Sequence, residues 1–351
     1  MSKNITDIDK NFVVEAQVKR EGMSFYNIDN YPFAIYGIFR EGHKYRRMPE
    51  AVAKSVADGV YGLHANTAGG RVRFKTDSKN ISIITKMENP GKMPHFALTG
   101  SAGFDLYVKD TNGYNYIKTF TPPFDISDGY ESGFAFEDKV LRDITINFPL
   151  YSDVCELLIG IDEDATLLEG DSYVDSPPMV YYGSSITQGG CASRAGSAYQ
   201  GFISRMFDRD FINLGFSGSA RAEDAMIDYI CSLDMSVFVE DYDHNAPDVD
   251  HLKNTHEKLY KAVRKAHPDI PIIIMSRPKY YLTAEEKERF EIIRQTYGNA
   301  VAAGDKNVYL IDGRQLMEMA KNEGTVDDCH PTDLGFASMA KALGEVLAKI
   351  L

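Results

Sequence analysis

Hydrophobic and polar positions change their spacing about halfway along the chain. Over residues 1–170 they alternate in short β-rich runs: VRFKTDS (72–78), ISIITKM (81–87), FDLYVKD (104–110), YNYIKTF (114–120), ITINFPL (144–150) and ELLIGID (156–162). Turn signals such as TDSKN, DTNGY and SDGYESG separate them. Close-set strands with little helix predict an antiparallel sandwich. One segment, PEAVAKSVADGVYGL (49–63), predicts a helix inside this region.

The pattern changes after the linker DSYVDSPP (171–178), which divides the chain into domains at 1–172 and 173–351. Beyond it, short apolar strands at MVYYG (179–183), FINLG (211–215), SVFVEDY (236–242), PIIIMS (271–276) and VYLIDG (308–313) alternate with helical segments. The helices are expected near 197–207, 221–233, 254–267, 283–304 and 333–351. Thr283 with Glu286, and Asn254 with Glu257, each read as a cap residue followed three positions later by Glu. The last helix repeats Leu334, Met339, Leu343, Val346, Leu347 and Ile350 near a 3.6-residue period. This alternation predicts an α/β doubly wound parallel sheet with helices on both faces. Ligands of such sheets sit beyond the carboxyl ends of the strands. That rule points to Gly183-Ser184-Ser185, Gly215 to Gly218, Asp241 to Asn245, Arg277 and Asp312.

Composition narrows the function classes. The chain has 351 residues, 44% hydrophobic and 25% charged, and a net charge of −13. That acidity argues against nucleic acid and anionic membrane as partners. No apolar run approaches the roughly 20 residues a spanning helix needs. MSKNITDIDKNFVVEAQ lacks the basic and apolar segments of a secretory signal, so a cytoplasmic location is expected. Cys155, Cys191, Cys231 and Cys329 are scattered, predicting free, mostly buried thiols rather than a zinc site or a disulfide framework.

The serine turn YGSSITQGG (182–190) fits none of the common glycine motifs. A phosphate loop would need Gly-Lys where Gln188-Gly189 begin, a dinucleotide fingerprint is absent, and a GxSxG elbow would need glycine at Thr187. TVDDCHPTDLGF (325–336) sets Asp327 three residues before His330, a spacing that lets a carboxylate orient an imidazole. NLGFSGSAR (213–221) turns through Gly218, exposing backbone N–H groups, and Asn245 offers a side-chain amide; together they can hold an oxyanion. His244, beside Asp243, is a rival base. His256 and His267 read as members of a solvated helix face. Asp241, Asp243 and Asn245 alternate like calcium ligands, but Ala246 and Leu252 stand where a calcium loop needs Gly and Glu. No metal or cofactor is expected.

These four elements, in this order, resemble the blocks of the SGNH (GDSL-type) hydrolase family. GSSIT matches its serine block, NLGFSG its glycine block, DYDHNA its asparagine block and DDCHPTDLGF its Asp-x-x-His block. GFDLY (103–107) resembles the GxDLY signature of an N-terminal β-sandwich that precedes such hydrolases. The sequence departs where Ser184 replaces the Asp of the first block, and where Asp243 and Ala246 flank Asn245 in place of Gly and Asp. The resemblance implies a flavodoxin-like catalytic domain with Ser185 as nucleophile, His330 as base and Asp327 as its orienter. It places the Ser185 and Gly218 N–H groups and the Asn245 amide in the oxyanion hole. The expected activity is hydrolysis of a small acyl ester through an acyl-enzyme, with acetyl on a carbohydrate or similar polar alcohol as the substrate class. An acyltransferase with the same residues, and a non-catalytic carbohydrate-binding protein, are the alternatives. The expected pocket is open and shallow, with Tyr280, Tyr281 and Leu282 as one wall. Oligomeric state is not indicated.

Overall fold

The computed structural model describes residues 5–9, 13, 14 and 17–351. All six strands expected before residue 170 form, at Arg71–Thr76, Asn80–Glu88, Phe104–Asp110, Gly113–Phe120, Arg142–Asn147 and Asp153–Asp162. They divide between two antiparallel sheets. One has the order Met23–Asn27, Asp153–Asp162, Asn80–Glu88, Gly129–Ala135. The other runs Leu167–Glu169, Arg71–Thr76, Arg142–Asn147, Phe104–Asp110, Gly113–Phe120. Alternate residues, among them Val72, Phe74, Ile81, Ile83, Leu106, Ile144 and Ile159, fill the core between them. Strands Met23–Asn27 and Gly129–Ala135 carry no sequence signal of their own, since MSFYN and GYESGFA lack clean alternation. Their cross-strand partners create them.

The helix expected over 49–63 is two helices, Glu50–Val56 and Asp58–Leu63, separated by an extended Ala57. The break lets Ala53 and Val60 both face inward. They pack not in the sandwich but with Val180, Leu214, Phe216 and Met226 of the parallel-sheet half.

That half has five parallel strands in the spatial order Phe211–Gly215, Met179–Gly183, Val237–Asp241, Ile272–Met275, Val308–Ile311. In sequence terms this is 2-1-3-4-5, the flavodoxin-like order. The strands read as unbroken apolar runs because both faces are covered. Met179, Tyr181, Val239 and Ile273 meet helices Tyr199–Phe207 and Asp333–Leu347 on one side. Val180, Tyr182, Phe238, Ile272 and Ile274 meet Asp224–Ser232, Val249–Ala266 and Ala284–Ala302 on the other.

Several local expectations are corrected. The capping box at Thr283 and Glu286 forms, but Asn254 lies inside its helix, which starts at Val249 after the cap Asp248. His256 is not solvated: it is 1% exposed, bonded to Thr296 Oγ1 at 3.0 Å, and faces the interior because the helix begins a turn and a half earlier than expected. His267 is half-buried, its ring against the Cys231 carbonyl. Leu334 is 50% exposed, since Phe336 takes the inward position in the first turn of its helix. All four thiols are free, but Cys191 alone is buried.

The two halves are joined by buried arginines. Arg47 Nε donates to the Asn66 carbonyl at 2.7 Å and Nη2 to Leu63 at 2.8 Å, both in the N-terminal half. Its Nη1 reaches across to the carbonyls of Gly215 at 2.6 Å and Asn213 at 3.1 Å, and the guanidinium lies over the Phe216 ring. Burial pulls this group down to about 10, so it stays cationic at neutral pH. Arg71 repeats the theme with Asp210 and the Phe211 carbonyl. Removing Arg47 takes the donors from three carbonyls in buried bonds, Asn66, Asn213 and Gly215, and from the Leu63 carbonyl, which keeps the Asn66 N–H. Arg47→Met is expected to lower the unfolding free energy by about 3 kcal/mol, read from denaturant titration; a change within about 0.5 kcal/mol, the usual range for a surface substitution, would contradict this role.

Candidate active site

Strand Met179–Gly183 ends at the point where the strand order reverses, the ligand crevice of this architecture. A Cβ on Gly183 would run into Thr187 Oγ1 and the Asp241 carbonyl, so only glycine lets the chain turn so sharply here. Ser184 then caps the one-turn helix Ser185–Gln188 by accepting the Ile186 N–H at 3.1 Å. An Asp would cap equally well, so the departure from the usual motif keeps the same bond. Gly189, in the left-handed region, closes the turn. Ser185 therefore stands at the first position of the helix with its hydroxyl at the crevice.

The second component comes from the loop before the last helix. Asp327 Oδ1 accepts the backbone N–H of His330 at 2.7 Å and of Cys329 at 3.1 Å, folding 327–330 into a tight turn. Its Oδ2 faces His330 Nδ1 at 2.8 Å. Because a carboxylate only accepts, Nδ1 carries the proton and Nε2 is left as acceptor. Nε2 lies 2.9 Å from Ser185 Oγ. Burial raises the Asp327 carboxyl, but the two backbone N–H groups and the His330 ring outweigh it and hold it below the usual carboxylate value. Such a chain can take the hydroxyl proton as Oγ bonds an acyl carbon.

The strands on either side of Met179–Gly183 lead into the candidate donors. Gly218 sits at φ +67 and turns the chain from Phe211–Gly215 toward the following helix. Asn245 Oδ1 accepts the Ala220 N–H at 3.2 Å, which leaves Nδ2 as the free end of its amide. Asp243, where the family has glycine, is buried beneath this loop, with bonds to Arg277 and Arg289 at 3.0 Å each. Burial would raise its carboxyl, yet Arg277 foremost and Arg289 hold it at about 2. An ion-paired Asp243 thus anchors the loop that carries Asn245. His244 has no such geometry for a base. Its Nδ1 lies 3.8 Å from Cys329 Sγ, its Nε2 is buried without a partner, and burial together with Arg277 pushes it down to about 3.

A family model for the GDSL-like lipase/acylhydrolase family matches residues 176–348, and one for the GxDLY N-terminus of SGNH-hydrolase-type esterases matches residues 23–167. The chain belongs to this hydrolase family. It is an enzyme that acts on ester bonds. Among solved structures, a GDSL-like lipase from Bacteroides ovatus ATCC 8483 is 26% identical, with a TM-score of 0.84 over 93% of this chain and 98% of its own. The salicylyl-acyltransferase SsfX3 from a tetracycline biosynthetic pathway shares the fold at 17% identity and a TM-score of 0.75, over 95% of this chain and 98% of that one. A family two carbohydrate esterase from Clostridium thermocellum, in complex with cellohexaose, shares it at 13% and 0.63, over 91% and 99%. No curated protein matches the sequence.

Residues without a place in the sequence reading also pack around the site. Gln188 Nε2 bonds Asn66 Oδ1 at 3.0 Å and the Leu150 carbonyl at 3.2 Å, while its Oε1 accepts the Ser217 N–H at 3.1 Å. One side chain thereby ties the serine turn to the glycine turn and to the sandwich half. Its place three after Ser185 was the available signal. Tyr151, from the sandwich half, donates to the Ser185 carbonyl at 3.2 Å, and the His95 ring lies 5.8 Å from that of His330. Neither had a signal, because nothing in the chain order brings 95 or 151 beside 185. Tyr280, Tyr281 and Leu282, expected as one wall, line a groove of about 570 Å³ with Phe290 and Arg314, and neither Ser185 nor His330 is part of that lining.

Under the serine turn, Asp241 Oδ2 accepts from Thr187 Oγ1 at 2.9 Å and Tyr199 at 3.2 Å. Burial raises this carboxyl to about 7 against those two bonds. A folded-state value above the unfolded one means that the folded chain binds the extra proton. Its contribution to stability is therefore largest near pH 4 and declines as pH rises through 7. Asp241→Asn, which keeps an acceptor but cannot ionise, should flatten the fall in melting temperature between pH 4 and 7. An unchanged slope would show that Asp241 is ionised throughout.

Proposed function

We propose that this enzyme is a serine esterase that cleaves a short acyl ester, acetyl on a carbohydrate or similar polar alcohol foremost, through an acyl-enzyme. The observation that carries the reading is the bond chain Ser185 Oγ to His330 Nε2 to Asp327 Oδ2, 2.9 and 2.8 Å, at the switch point of the sheet. In the proposed mechanism His330 accepts the Ser185 proton as Oγ attacks the acyl carbon. The Ser185 and Gly218 N–H groups and Asn245 Nδ2 meet the oxyanion. His330 then protonates the departing alcohol, and water, activated by the same nitrogen, releases the acid. Asp327 holds the ring's tautomer throughout and offsets the charge it gains.

One observation favours water as acceptor. The His330 and Asp327 side chains are 23% and 37% exposed, so solvent reaches the reacting bond. Fold likeness to carbohydrate esterases supports the polar alcohol, and likeness to an acyltransferase makes transfer the second reading. The two part at the acyl-enzyme. With a short-chain ester and added sugars or alcohols at millimolar concentration, free acid should be the main product; a dominant transfer product would favour the second reading.

Ser185→Ala should abolish hydrolysis of p-nitrophenyl acetate with an unchanged circular dichroism spectrum; undiminished turnover would remove Ser185 from the mechanism. Asn245→Ala should lower kcat by about 100- to 1,000-fold, the usual effect of losing one oxyanion donor, with KM changed far less. His244→Ala should be milder. The reverse order would move the donor role away from Asn245.

A further inference from the structure

The loop of the sandwich half over 89–97 is pinned against the serine turn. Phe96 is buried edge-on to Tyr151 with ring centroids 5.2 Å apart, and Gly91 bonds both Ser152 and Ser101. Just beyond, a Cβ on Gly100 would strike the Ala192 carbonyl. This packing sets His95 beside Cys191 and His330. A ring nitrogen of each histidine and the Cys191 sulfur all lie within 4.8 Å of one another. The proposed ester chemistry has no use for either His95 or Cys191. Cys191 is moreover held at φ +75, a conformation that non-glycine residues rarely adopt and that collects at functional sites.

We propose that His95, Cys191 and His330 form a binding site for a soft divalent cation of the zinc type, and that its occupation inhibits the enzyme. Two imidazoles and a thiolate are the donor set such ions prefer, with a fourth position left to solvent. Ligand atoms on tetrahedral zinc stand roughly 3.3–3.8 Å apart, given bonds of about 2.0–2.3 Å, so closure from 4.8 Å takes about an ångström of side-chain adjustment. His330 Nδ1 already donates to Asp327, the outer-shell bond that commonly orients a metal-bound histidine and strengthens it as a ligand. The ring nitrogen left for the metal is Nε2, the one that faces Ser185. On binding, Nε2 and a His95 nitrogen each give a lone pair to the cation, Cys191 binds as thiolate, and its proton passes to solvent. Ser185 Oγ loses its acceptor while the metal remains. The inhibition rests on the proposed role of His330; the cation site does not.

The test uses the full chain and zinc chloride alone. Calorimetry should show one zinc per chain, and His95→Ala and Cys191→Ser should each weaken it at least about tenfold. Cobalt(II) should give a thiolate charge-transfer band in wild type and in Ser185→Ala but not in Cys191→Ser, and zinc should inhibit ester hydrolysis reversibly by chelator. His95 is exposed, so His95→Ala tests the site without disturbing the core around Cys191. Absent zinc binding, or an affinity unchanged in both variants, would overturn the site. Stoichiometric zinc with undiminished hydrolysis would overturn the inhibition and with it the proposed base role of His330, leaving the site standing.

Discussion

A single buried cation, the Arg47 guanidinium, holds together the parts on which the site depends. Among the described residues no carboxylate lies within bonding distance; instead four backbone carbonyls surround it, two from each half of the chain. A charge so buried is tolerable only if its donors are used, and using them fixes the end of strand Phe211–Gly215 against the loop 63–66. The turn at Gly218 grows directly from that strand end. Gly59 packs against Ser219 so closely that a Cβ would not fit, and Gln188 carries the same connection on to Ser217. The sandwich half is thus part of the frame of the proposed oxyanion donors.

The same logic explains why the site tolerates unusual residues. Ser184 substitutes for an acid because the turn needs a hydrogen-bond acceptor, not a charge. Asp243 is accepted in a buried loop because Arg277 and Arg289 surround it, and the pair of arginines then fixes the backbone before Asn245. Asp241, with hydroxyl partners alone, takes the other course open to a buried carboxyl and holds its proton to higher pH. Two carboxyls two residues apart in sequence are therefore shifted in opposite directions. Each supports a different turn of the crevice.

How much of this was legible in the chain follows from the range of each signal. The strands of the parallel sheet were read nearly to the residue, because burial on both faces makes them continuous apolar runs bounded by turns. The four candidate blocks were legible because each is local: the Asp327–His330 turn needs three residues, and the serine turn needs its glycine. Long-range contacts left no trace. Strand Gly129–Ala135 exists through its pairing with Asn80–Glu88, and His95 and Tyr151 reach the site through packing of the sandwich loops. His256 was misplaced for a different reason. Its neighbours are charged, but the helix phase set by the cap at Asp248 turns that one position inward. A charged neighbourhood reports the average face, not the individual residue.

The central claim is that Ser185 is a hydroxyl activated by His330. The most direct measurement is the site of covalent labelling by a fluorophosphonate, mapped by peptide mass spectrometry on the wild-type chain and on His330→Ala. One adduct is expected, on Ser185, formed in wild type and slowed by orders of magnitude when the imidazole is lost. An adduct elsewhere, or labelling of Ser185 at the same rate without His330, would contradict it.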